Sequence, residues 1–393
     1  MGHDGPLGAH LEEQLSRVET TELGFGGAVA VAQGGQLLGI AWTGEAAPGR
    51  PWTKTTPTVT WSVSKGVVAM VVAFLAQSGE IDPEAPIRDT WPEFGVGAAR
   101  SLTLSDVMTH RAGLPWLPEA DDLPSFAATE AWSRSGAIAD ALAEMALVEE
   151  LRGQIAYHAL TYGWLVGACV RRATGANLNA HLRRMLSGRD GIRMSFGTTD
   201  ETILSQLTTP GVPQSGQEQA QAVDAALSDP ENRLRRSLCV PVGMSFSDVL
   251  RRTEDPGFLA ADTPAISLIA DAGSLARTYS LFAAAGPKSF IATKARDRAI
   301  IPRADTSDDG VTGGARRMAI GFVLGSSPSI DLGPRPKAFG HPGMGGSLAW
   351  GDPETGLGFA YLTNAAVPDT VTDPRALALS HVASAMDGND RSA

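Results

Sequence analysis

Apolar positions along this chain switch between helical and strand spacing, and the switches outline the fold. Residues 10–20, HLEEQLSRVET, alternate polar and apolar side chains at helical spacing. Residues 26–42, GGAVAVAQGGQLLGIAW, read as a β-hairpin, with β-rich runs on either side of the turn Gln33-Gly34-Gly35. A Pro/Thr-rich loop, TKTTPTVT, leads into WSVSKG and the apolar run VVAMVVAFLA, which predicts a helix to about Gln77. From about residue 86 to 300 the pattern is mostly helical with long connections. Thr103 or Ser105 caps a short helix. Helices are expected at 136–149 and 160–174, loop and polar helix over 207–235, and one further helix in SLIADAGSLARTYSLFAAAG, residues 267–286.

The last ninety residues return to strands in RRMAIGFVLG, AFGHPGMGGSLAWGDP and GLGFAYLTNAA, followed by a helix in DPRALALSHVASAM. Strands at both ends with helices between them predict one antiparallel sheet shared by the two ends. The expectation is an α+β fold, a sheet flanked by helices with an inserted helical part. Residues 1–85 and 315–393 form the discontinuous α/β domain, and 86–314 the mostly helical one.

Composition narrows the function classes. At 393 residues the chain can bury a large core. A net charge of −11 speaks against nucleic-acid binding, which needs basic surface to meet phosphate. The longest apolar run is too short to span a bilayer, and the first twenty residues lack the apolar core of a signal peptide. A cytoplasmic protein is expected, with Cys169 and Cys239 as reduced thiols. No His/Cys cluster has metal-ligand spacing and there is no phosphate-binding loop, so no cofactor is expected.

The candidate chemistry starts at WSVSKG. If Ser62 begins a helix, Lys65 lies one turn on, on the same face. A lysine amine driven neutral by burial and by the helix N-terminus could take the serine proton. Ser64 cannot share this geometry with its neighbour Lys65. Tyr157 precedes a second apolar helix, and a tyrosine near a lysine can share its proton. In FGHPGMGGSLAWGDP, glycines allow close backbone approach to a ligand, and Pro342 has no N–H. The Met344 and Ser62 N–H groups are the candidate oxyanion hole, with His341 lining the site.

Together, S-x-x-K at Ser62–Lys65, Tyr157-His158-Ala159 and His341-Pro342-Gly343 resemble the three motifs of the serine β-lactamase and penicillin-binding-protein superfamily. The closest likeness is to class C β-lactamases and family VIII carboxylesterases. LSDVMTHRAGLP (104–115) and GHPGMGGSLAWGDPETGLGFAYLTN (340–364) also match, and the likeness runs from about residue 25 to 385. It implies an acyl-enzyme on Ser62, with Lys65 and Tyr157 handling protons and His158, His341 and Gly343 near the substrate. Ala159 stands where the family has Asn, and His341 where it has the Lys of Lys-Thr-Gly. Both changes remove contacts to a lactam. The resemblance therefore implies a hydrolase of small esters or amides, carboxylesterase-like, with weak or no β-lactamase activity. An acyltransferase and a non-catalytic binder of the same fold are the alternatives. Trp116, Tyr162 and Trp350 are expected to wall the acyl pocket.

Overall fold

The computed structural model describes all residues except 20–21, 118–133, 262, 326, 328, 369–371 and 386–393. Strand β1 (Gly2–Asp4) and helix α1 (Gly8–Val18) lead into the hairpin of β2 (Gly26–Gln33) and β3 (Gln36–Ala47). Gln33 pairs with Gln36 across Gly34 and Gly35, at φ 55° and 86°. Two left-handed positions in a row are what a two-residue loop with the twist of its strands requires, and glycine adopts them without strain. Short strands β4 (Arg50–Pro51) and β5 (Thr58–Val59) precede helix α2 (Val63–Gln77).

The middle of the chain carries α3 (Leu104–Met108), α4 (Ser135–Glu144), α5 (Thr161–Thr174), β6 (Met194–Phe196), α6 (Gln217–Ser228), α7 (Arg233–Ser237) and α8 (Phe246–Leu250). Thr103 is the cap of α3, in a reciprocal capping box with Asp106. α4 stops five residues short of the expected 149. The chain turns extended at Met145, and the Val148 N–H bonds Gly113 O instead of continuing the helix.

β7 (Leu268–Ala270) and α9 (Ala272–Ala283) occupy the segment expected to be one helix. Asp271 divides them by accepting the Ser274 N–H at 2.7 Å as the cap of α9. The chain closes with β8 (Ala304–Thr306), β9 (Arg316–Met318), β10 (Val323–Leu324), β11 (Phe339–Pro342), β12 (Leu348–Asp352), β13 (Leu357–Thr363) and α10 (Pro374–Ala385).

Among the described residues the main sheet has ten strands, in the order β1-β3-β2-β13-β12-β11-β10-β9-β8 with β4 beside β3. The first and last thirds of the chain meet at its centre, where β13 pairs with β2. Side chains alternate across the sheet with period two. Ala28, Ala30 and Ala32 of β2 face α9, whereas Val29 and Val31 face α1 and α10. The alanine face lets α9 come very close. A Cβ on Gly358 would collide with the α9 backbone at Ala276 and Ser280. This helix, expected in the helical part, thus covers the sheet, and β8 also joins the sheet before residue 315.

Helix α2 is buried along nearly its whole length, which fits its run of apolar residues. It packs against β11 of the main sheet, so its first residue lies where sheet and helical region meet. A second sheet, β5-β7-β6, fixes the chain just before it. Among the described residues no helix is long and apolar enough to cross a membrane.

Candidate active site

Ser62 is the residue before α2, and the chain reaches it through an uncommon backbone turn. Trp61 has φ 51°, a left-handed conformation unfavourable for a bulky side chain. Strand β7 holds it in place: the Thr60 N–H bonds Leu268 O at 2.8 Å, and the Leu268 N–H bonds Ser64 Oγ at 3.0 Å. Ser62 stays partly exposed, while Ser64 is fully buried and engaged with β7. Such turns persist where surrounding contacts over-determine them, commonly at functional sites.

Lys65 lies one turn into α2, fully buried, with Nζ 3.1 Å from Ser62 Oγ. Its other partners are two backbone carbonyls, Ala159 O at 2.9 Å and Ala265 O at 3.2 Å. Burial, with the Arg316 charge adding to it, drives the ammonium pKa well below the ordinary lysine value. A neutral amine has two N–H bonds and one lone pair. The carbonyls use both N–H bonds, which leaves the lone pair for the Ser62 hydroxyl.

The Tyr157 phenol donates to Ser62 Oγ at 2.8 Å, and its ring lies 4.9 Å from Lys65 Nζ. Burial pushes its pKa up to about 12, against the opposing pull of Arg316 and the bond to Ser62. At neutral pH it is therefore a protonated donor. With the Lys65 amine neutral, Ser62 Oγ sits between a proton acceptor and the Tyr157 proton donor. Among the described residues the Ser62 and Met344 N–H groups have no hydrogen-bond partner within the chain. Gly343 must be glycine where β11 ends, because a Cβ there would stand 2.6 Å from Thr60 O.

The site opens into a cavity of about 370 Å³ lined by Ser62, Tyr157, Ala159, His341, Gly343 and Met344 together with apolar side chains. His341 Nδ1 lies 2.7 Å from Pro342 O, and burial pushes its pKa well down, so it brings no charge.

Four of the expected contact residues lie elsewhere. His158, next to Tyr157, turns away from the cavity. Its Nδ1 bonds Ala156 O at 2.6 Å and its Nε2 accepts the Leu114 N–H at 3.2 Å. Trp116 packs behind Tyr157 with Leu151 and Val311, under the Arg236 guanidinium. Tyr162 is fully buried in α5, and its hydroxyl donates to Lys65 O at 3.3 Å.

Trp350 is corrected by strand register. His341 pairs with Ala349, and Trp350 with Gly340, so Trp350 points to the opposite face of the sheet from His341. There it stacks on Phe359 and donates to Ser380 Oγ at 2.8 Å. Trp350→Ala is therefore expected to cost about 3–5 kcal/mol of stability. Denaturant melts should register that loss, with KM for esters unchanged. The aromatic wall is instead Trp61 and Phe246.

Sequence reasoning also missed Asp309 and Arg316. Asp309 Oδ1 accepts the Tyr157, Val311 and Thr312 N–H groups at 3.1, 2.9 and 3.0 Å. Its Oδ2 lies 3.1 Å from Arg316 Nε, an ion pair buried on both sides.

Comparison with known proteins decides the family. The Beta-lactamase family profile matches residues 15–382. The chain belongs to the Beta-lactamase family. The "Esterase/beta-lactamase LipL" of Mycobacterium tuberculosis is 31% identical over 363 residues, spanning 86% of this chain and 77% of LipL. A penicillin-binding-protein homologue from Caulobacter crescentus superposes with a TM-score of 0.80 at 27% identity, over 98% of this chain and 100% of its own. EstA from Arthrobacter nitroguajacolicus Rue61a shares the fold, at TM-score 0.82 and 24% identity over 99% and 100% of the two chains. This Beta-lactamase-family member is a serine hydrolase of the esterase/beta-lactamase kind, with the antiparallel sheet and helical insertion that its three motifs implied.

Proposed function

We propose that the protein hydrolyses small esters with aliphatic acyl groups through an acyl-Ser62 intermediate. The observation that carries this reading is the contact between Ser62 Oγ, Lys65 Nζ and the Tyr157 hydroxyl at the wall of an apolar cavity. Ser62 Oγ attacks the ester carbonyl carbon while its proton passes to Lys65. The carbonyl oxygen becomes an oxyanion held by the Ser62 and Met344 N–H groups. When the tetrahedral adduct collapses, the C–O bond to the leaving group breaks, and Tyr157 protonates the departing alkoxide, with Lys65 restoring the phenol proton. Water then attacks the acyl-enzyme with the same proton traffic in reverse.

The walls favour aliphatic acyl chains. Helices α6, α7 and α8 contribute Val223, Leu227, Leu234, Phe246 and Val249. Lactam binding has lost two contacts, because Ala159 offers no amide and His341 no cation. Each lost hydrogen bond or charge contact is worth about tenfold or more. A p-nitrophenyl ester series run beside nitrocefin tests this. The kcat/KM for butyrate or hexanoate should exceed that for nitrocefin by about 100-fold; equal values would sink the ester reading. Val223→Trp should lower kcat/KM for hexanoate more than for acetate.

An apolar wall also keeps water from the acyl-enzyme. The same assays with an added alcohol therefore measure acyl transfer as the second reading. Two free thiols, Cys239 partly exposed, fit a reducing compartment, and we place the protein in the cytoplasm. Cell fractionation would show otherwise by finding it outside.

A further inference from the structure

Around Tyr157 the fold has buried a cation that neither the three motifs nor the acyl-Ser62 reaction uses. The Arg316 guanidinium lies 4.6 Å from the centre of the Tyr157 ring and lines the cavity. Asp309 clamps it from behind at 3.1 Å, and Thr312 Oγ1 accepts from Arg316 Nη2 at 3.0 Å. The same carboxylate binds the Tyr157 N–H, so one side chain fixes both the tyrosine and its cation. Burying a charge pair beside a ligand cavity is costly unless geometry and hydrogen bonding are good. This pair is oriented, with its positive end toward the phenol ring and its negative end toward the backbone.

We propose that Arg316, held by Asp309, is a positioning residue that keeps the Lys65–Tyr157 pair one proton short of full protonation before substrate arrives. The proposal rests on the acyl-Ser62 reading. The groups facing Tyr157 are Lys65 from α2, His110 at 4.7 Å between ring centres, His158 beside it in sequence, Tyr162 from α5, and His341 from β11 at 6.2 Å. Burial holds the three imidazoles neutral, His158 at about 4 and the other two well below the ordinary value. Asp373, also on the cavity wall, is paired with Arg375 at 2.8 Å. Lys65, Arg316 and Asp309 therefore set the local charge. A cation disfavours a further proton on either the amine or the phenolate, so Arg316 acts in one direction on both members of the pair. Asp309 opposes it more weakly at Tyr157.

The test is the pH profile of kcat/KM on p-nitrophenyl butyrate. Arg316→Gln alone would strand a buried carboxylate, so it is combined with Asp309→Asn, which keeps an oxygen for the three N–H groups. The rising limb should move about one to three pH units higher, with activity recovering at high pH. Arg316→Lys should keep the limb near its original position. Should the double variant not fold, Asp309→Asn alone removes the opposing charge and should move the limb to lower pH. A loss equal at every pH, or a limb that stays put in the double variant or in Asp309→Asn, overturns the proposal. Ser62→Ala in the same assay tests the underlying reading separately. Full activity there would overturn that reading, whereas an inactive Ser62→Ala beside an unmoved limb overturns only the role of Arg316.

Discussion

Ser62→Ala should lower turnover of p-nitrophenyl butyrate by about 10⁵–10⁶-fold, the scale seen when a serine nucleophile is lost. Ser62 Oγ is the one hydroxyl within hydrogen-bond reach of both Lys65 Nζ and the Tyr157 phenol among the described residues. No neighbour can take over its bond to the acyl group. Ser64, two residues on, predicts a different outcome. Its Oγ accepts the Leu268 N–H in a fully buried setting. Ser64→Ala strands that N–H and should cost about 1–3 kcal/mol of stability. Activity should fall far less than in Ser62→Ala, because the β7 contact only supports the turn at Trp61. Intact-mass spectra with a slow ester should show an acyl adduct on wild-type protein and none on Ser62→Ala. An inactive Ser64→Ala beside an active Ser62→Ala would reverse the assignment.

The difference between these serines is legible in the sequence alone, because i, i+3 spacing on a helix is a local property. The hairpin at Gly34-Gly35 is equally local, and so is the sheet made from both chain ends, since alternation marks strands wherever they stand. Trp350 marks the limit of local pattern. Its place three residues after Ser347 puts it close to the glycine turn in sequence. The side a strand residue faces depends on pairing register, however, and here Gly340 rather than His341 stands opposite it.

Trp116 and Tyr162 lie near the site as expected but support Tyr157 and Lys65 from behind. Sequence distance cannot separate support from contact. Asp309 and Arg316 carry no motif. They lie about 150 residues from Tyr157 in the chain, and only the folded loop brings the carboxylate to the Tyr157 N–H. The helix expected over 267–286 is divided for another reason. An apolar run of a few residues fits a buried strand or a helix equally well, and the pattern does not separate Asp271 as a cap from Asp271 as a polar position within the helix.

Lys65→Met should abolish most activity and at the same time stabilise the fold. Met nearly matches the lysine stem in volume but cannot accept the Ser62 proton, so kcat should fall by about 10²–10⁴-fold, the usual range for losing a general base. Stability should move the other way because of how the amine titrates. In the unfolded chain Lys65 is protonated up to about pH 10.4. In the fold, burial and Arg316 hold its pKa well below that. Between those two values the unfolded state binds one more proton than the folded state. Wild-type stability should therefore rise with pH across that window, by about 1.4 kcal/mol per pH unit from this one group. Above the unfolded pKa the penalty vanishes, and it grows as pH falls toward the folded value. The methionine variant lacks the group, so its advantage over wild type should be largest near neutral pH and shrink toward pH 10. Denaturant melts of both proteins at pH 7, 8.5 and 10 read this directly, and the other titrating groups cancel in the difference. A constant difference across that range would mean that Lys65 is charged in the fold. The neutral-amine base would then be wrong, and proton removal from Ser62 would pass to Tyr157.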